Sequence, residues 1–94
     1  MIQIKAEDLA VVKKLLNFEV PDKEVVAFGS RVYGVPREKS DLDIAVKGAT
    51  TAEINQLKDY FSVAPLSIII DVSNYEKLDD WLRKIVDEQG EKIQ

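Results

Sequence analysis

The sequence predicts an α+β domain: a small mixed β-sheet with helices packed on one face. Apolar stripes of helical spacing alternate along the chain with short β-branched runs. Two of the helical stretches open with Thr/Ser-x-x-Glu, the signature of a capping box. The 94 residues are 46% apolar, enough for one modest core and not for two, so a single domain over residues 1–94 is expected.

The elements follow in order. In "EDLAVVKKLLNF", Leu9, Val12 and Leu16, with Val11 and Leu15 beside them, form one stripe of a helix whose Lys13 and Lys14 face water. Pro21 and Asp22 end it. "EVVAF", from Glu24, reads as a buried strand running into Gly29. In "DLDIAV", Leu42, Ile44 and Val46 share one strand face and Asp41, Asp43 and Ala45 the other. Thr50 and Glu53 open a helix lined by Ile54, Leu57 and Phe61. "PLSIIIDV" is the most apolar run and a third strand. Ser73 and Glu76 are expected to cap a last helix striped by Leu78, Trp81, Leu82, Ile85 and Val86 and closed by Gly90. Trp81 thus falls on the core side.

Composition narrows the chemistry. With no cysteine and no histidine, disulfides, thiolate zinc sites and imidazole bases are all excluded. Reactivity must rest on carboxylates, hydroxyls, lysine, arginine or a bound cation. A net charge of −4 argues against a broad nucleic-acid-coating face, so no direct nucleic-acid binding is expected. "MIQIKAEDLA" has no apolar signal-peptide core, and no apolar run is long enough to span a bilayer. The chain therefore reads as soluble and cytoplasmic, without a membrane role.

One stretch departs from this ordinary pattern. A strand followed by Gly29-Ser30 can offer successive N–H groups to an anion, and glycine removes the Cβ that would hold a phosphate away. The loop beyond carries Arg31, Arg37 and Lys39 against Glu38, a basic island in an acidic chain. Asp41 and Asp43 then leave the same face of a strand. Two like charges this close need a shared proton or a divalent cation between them, and magnesium takes one or two carboxylates together with phosphate and water. Alone, each half has a plain alternative, a turn glycine or a solvated strand face. Together they favour a cation–nucleotide site.

"FGS", ten intervening residues and "DLDI" resemble the signature of the DNA polymerase β-type nucleotidyltransferases. More narrowly, "FGSRVYG…SDLDIAV" is similar to the minimal nucleotidyltransferases, of about a hundred residues and without an added substrate domain. The resemblance implies the nucleotidyltransferase fold and a magnesium-dependent transfer of AMP from ATP, or of the monophosphate of another nucleoside triphosphate, with two metal ions. Gly29 and Ser30 would hold the triphosphate, and Asp41 and Asp43 the metals. Arg31 would either touch phosphate or hold the loop by pairing with a carboxylate. Family members take a third carboxylate from the next strand. Here that is Asp71, or, if Asp71 matches a second acidic position of that strand, Ile68 stands in its place and cannot bind an ion.

Minimal members are often encoded beside a HEPN-type ribonuclease toxin. The resemblance therefore implies an antitoxin that adenylylates a hydroxyl of such a partner. The alternative is a catalytically impaired module of the same fold that neutralises the toxin by contact. A homo-oligomer is the remaining expectation, because one sheet face would stand open.

Overall fold

The computed structural model describes residues 2–94. Its elements are α1 (Ala6–Glu19), β1 (Val25–Phe28), α2 (Ser30–Tyr33), β2 (Leu42–Val46), α3 (Thr51–Val63), β3 (Ile70–Asn74), α4 (Asp80–Gln89) and β4 (Glu91–Lys92). A short 3-10 turn, Tyr75–Lys77, leads from β3 toward α4. The sheet order is β3-β2-β1-β4, with β2 and β3 parallel and the other neighbours antiparallel, so the expected mixed sheet is present.

The main core lies on one face of the sheet. Val25 and Ala27 of β1, Leu42, Ile44 and Val46 of β2, and Ile70 and Val72 of β3 meet Val12 and Leu16 of α1 and Ile54, Leu57 and Phe61 of α3. Thr50 begins α3 as its side chain accepts from Glu53 N–H, while the Glu53 carboxylate accepts from Thr50 N–H. This reciprocal pairing is the capping box expected from the sequence.

The last helix departs from the expectation of helices on one face only. Val86 of α4, joined by Tyr75, Leu78 and Leu82, packs on the opposite face against Val26, Phe28 and Ala45. The cause is in β1 itself. All four of its residues are buried, so it carries apolar groups on both faces and needs a cover on each. Gly90 then lets the chain turn back closely, since a Cβ there would strike the Val26 side chain and the Val86 carbonyl. The following residues form β4 beside β1, an element too short to leave a periodic signal.

Two further expectations are corrected on this segment. Ser73 and Glu76 do not box the last helix. Asn74 Oδ1 accepts from Glu76 N–H, and the Glu76 carboxylate is taken up by Gly48 N–H at 3.0 and 3.2 Å. Trp81 is 63% exposed, because α4 begins at Asp80 and turns Leu82 and Val86 toward the sheet instead.

Candidate active site

The site lies on the face that carries α4, at the end of the sheet which that helix leaves open. β1 ends at Phe28, whose neighbour across the antiparallel ladder is Asp43. Gly29 follows with φ +88°, a conformation that disfavours any L side chain. A Cβ at this position would also run into Asp43 Oδ2. Gly29 is therefore required twice, for its backbone angle and for the approach of the main chain to a carboxylate. Its carbonyl accepts from Val32 and Tyr33 N–H, which starts the single turn of α2. In such a turn the first N–H groups, those of Ser30 and Arg31, have no intrahelical acceptor. The exposed Ser30 hydroxyl stands beside them. Replacing Gly29 with alanine should lower stability by about 2 kcal/mol through strain and the Asp43 clash, read as an earlier urea midpoint.

The carboxylates come from adjacent strands. The parallel ladder pairs Asp43 with Asp71, so both side chains project from one face in register. Asp43 is half-buried and Asp71 is exposed on the edge strand. Burial pushes the Asp43 carboxyl up to about 6, reinforced by the negative charge of Asp71, a hydrogen bond shared with it, and the charge of Asp41. Asp41 lies exposed just before β2. Ile68, by contrast, precedes β3 and packs toward the main core.

The segment that leads into β3 and Asp71 is held by a residue that sequence reading missed. Asp8 is only 3% exposed on α1. Its carboxylate accepts from Ser67 N–H at 3.1 Å and from the Ser67 hydroxyl. These bonds, led by the hydroxyl, hold its pKa below the ordinary value despite burial. The segment entering β3 is thereby pinned to α1. A signal was present, because Asp8 occupies the same helical phase as the buried Val12 and Leu16.

Arg31 takes a different role from the phosphate contact that was one of its two expected uses. Its side chain is buried, and its donors reach four main-chain carbonyls: Ser40 at 2.6 Å, Gln3 at 2.9 Å, Glu38 at 3.1 Å and Arg37 at 3.2 Å. It holds the loop as expected under the other use, but through carbonyl oxygens and not through a carboxylate. The arginine folds residues 34–41 back on α2 and so delivers Asp41 and Asp43 to the site.

The donors suit a hard cation. They are carboxylate oxygens beside an anion cradle, with like-charge repulsion that a cation would relieve. Among the described residues no three acidic side chains are already arranged to hold an ion. An ion of the magnesium type needs only one or two of them, with phosphate and water completing its shell.

Comparison with known proteins decides the family, for the family described as "Nucleotidyltransferase domain" matches residues 9–93. The chain belongs to the nucleotidyltransferase domain family. The chain is 36% identical over 88 residues to the "Probable protein adenylyltransferase MntA" of Haemophilus influenzae, covering 90% of this chain and 77% of that protein. A solved toxin–antitoxin structure with AMP-PNP superposes with a TM-score of 0.76 at 25% identity, covering 93% of this chain and 73% of that one. One chain of the solved toxin–antitoxin MntA–HepT structure shares the fold, with a TM-score of 0.61 at 20% identity over 96% of this chain and 72% of that one. This nucleotidyltransferase has no helix, among its described residues, long and apolar enough to cross a membrane.

Proposed function

We propose that this nucleotidyltransferase uses magnesium to transfer AMP from ATP to a hydroxyl of a partner protein, a HEPN-type toxin that it thereby silences. The observation that supports this reading is the register of Asp71 with Asp43 across the parallel ladder, with Asp41 two residues before Asp43. Gly29 and the N–H groups that follow it receive the triphosphate. Asp41, Asp43 and Asp71 would hold the magnesium, one ion or two, which neutralises charge on the phosphates and lowers the pKa of an oxygen bound to it. The acceptor oxygen forms a bond to the α-phosphorus as the bond to the β-phosphate oxygen breaks. Pyrophosphate leaves, and the hydroxyl proton passes to Asp71 at the open edge of the sheet. The relative named as a protein adenylyltransferase and the toxin–antitoxin structure with AMP-PNP support this assignment.

The contact-only alternative required Ile68 in the place of the third carboxylate. Its packing toward the core leaves Asp71 as the residue that stands beside Asp43.

Incubating the purified chain with magnesium, ATP labelled at its α-phosphate and the HEPN-type protein encoded beside it tests the proposal. The expected result is label on the partner, lost on treatment with phosphodiesterase. A stable complex that acquires no label would overturn the transfer reading in favour of silencing by contact.

A further inference from the structure

β3 is an edge strand and also carries Asp71. Leu42 N–H donates to Ile69 O at 2.9 Å, which fixes the phase of the parallel ladder. Ile69, Asp71 and Ser73 therefore turn their main-chain groups toward β2, whereas those of Ile70 and Val72 point out from the sheet. An edge of this kind is a template for another strand.

Two hollows flank the same edge. One, of about 770 Å³, runs between the C-terminal half of α3 and the segment entering β3, over Phe61, Leu66 and Ile68. The other, of about 370 Å³, lies between the N-terminal half of α3 and β3, and Asp71 is in its wall. Lys58 borders both, Lys39 stands on the first and Lys77 on the second. Glu38 and Asp71 share this border, so its three lysines leave a surplus of one positive charge in a chain of net charge −4. Ile69, beside Asp71, is 69% exposed.

We propose that the free edge of β3 docks the acceptor: an extended segment of the partner protein, flanked by acidic residues, adds as an antiparallel strand and sets its hydroxyl residue opposite Asp71. The inference rests on the AMP-transfer reading above. Pairing with the outward groups of Ile70 and Val72 makes the position opposite Asp71 a non-hydrogen-bonded pair, where facing Cα atoms approach to about 4.5 Å. Side chains alternate along a strand, so the residue opposite Asp71 projects on the carboxylate face. Its two neighbours project toward α3 and the apolar hollow. A tyrosine stands taller above a sheet than an aspartate, so its phenol oxygen clears the carboxylates and reaches the space above them. The occupant thus reads as a tyrosine between two apolar residues, with acidic residues three positions away on either side, which alternation turns toward the α3 side and its lysines.

The test uses a blocked heptapeptide, Glu-Glu-Val-Tyr-Val-Glu-Glu, and the same peptide N-methylated at both valine amides. Binding is followed by amide NMR of the full chain without ATP or magnesium, so that failure to dock and failure to transfer AMP are separate results. The first peptide should shift the Ile70 and Val72 amides and slow their exchange, and the methylated one should not. Lys39→Glu with Lys58→Glu should weaken binding about tenfold while leaving the far-ultraviolet circular dichroism unchanged. Absence of binding, or equal binding of both peptides, would overturn the proposal. So would protection of Ile70 and Val72 that rises with protein concentration alone, since the edge would then belong to a second copy of this chain.

Discussion

Asp43→Asn is expected to abolish AMP transfer while making the protein more resistant to heat above neutral pH. The activity loss follows from removing the carboxylate that lies closest to the Gly29 cradle and beside Asp71. Loss of one charge-stabilising group at such a centre costs on the order of a thousandfold. Magnesium with ATP should raise the melting temperature of the wild type, and the same substitution should erase that rise. An equal rise in both proteins would remove Asp43 from the site.

The gain in heat resistance has a defined pH window. Burial and the neighbouring carboxylates raise the folded-state value of Asp43 from 3.8 to about 6. A folded value above the unfolded one means that the native protein binds this proton more tightly. The associated stability is complete below about 4 and is lost as pH rises through about 6. Asp43 is half-exposed, so solvent screening reduces the penalty above that pH to about 1 kcal/mol, or about 5 °C in a domain of this size. Asparagine carries no such charge. Its melting temperature should exceed that of the wild type at pH 8 and converge with it near pH 4, which thermal scans across that range would measure.

Arg31→Ala should produce the largest loss of stability, about 3 kcal/mol, seen as a lower urea midpoint. The guanidinium holds four part-buried carbonyls of the loop and of the N-terminal segment, and truncation would release all four at once and empty the buried space of the side chain. Out of the 5–15 kcal/mol that holds an ordinary domain together, this is a large share. Arg31→Lys separates a clamp from a phosphate contact. Lysine has three donors on one nitrogen and cannot span the four acceptors, so stability should fall by about half as much. A clamp leaves the melting-temperature rise with magnesium and ATP in place, and a phosphate contact would lose it.

What could be read from the sequence was what depends on near neighbours. The pairing of Thr50 with Glu53 spans three residues. The separation of Leu42, Ile44 and Val46 from Asp41, Asp43 and Ala45 is a strand alternation. Both were legible for that reason. The side of the sheet on which α4 packs was less so. Its evidence was the unbroken apolar run of β1, which demands cover on two faces, but the run does not say which helix provides it. Ser73 and Glu76 had the spacing of a capping box, yet Gly48, distant in sequence, takes the Glu76 carboxylate. Arg31 and Asp8 were opaque because their partners lie as far as 28 and 59 residues away. A charged side chain in a sequence looks like surface until the carbonyls or hydroxyls that bury it are known.

If Asp43 and Asp71 act together as proposed, their one-to-one matching ties chemistry to correct folding. Sliding β3 by a single residue along β2 would turn the Asp71 carboxylate into the hydrophobic interior and bring Ile70 out in its stead. Under the proposed AMP transfer, such a misassembled chain would be both unstable and inert. Competence to react is in this way its own certificate that the sheet has been put together properly.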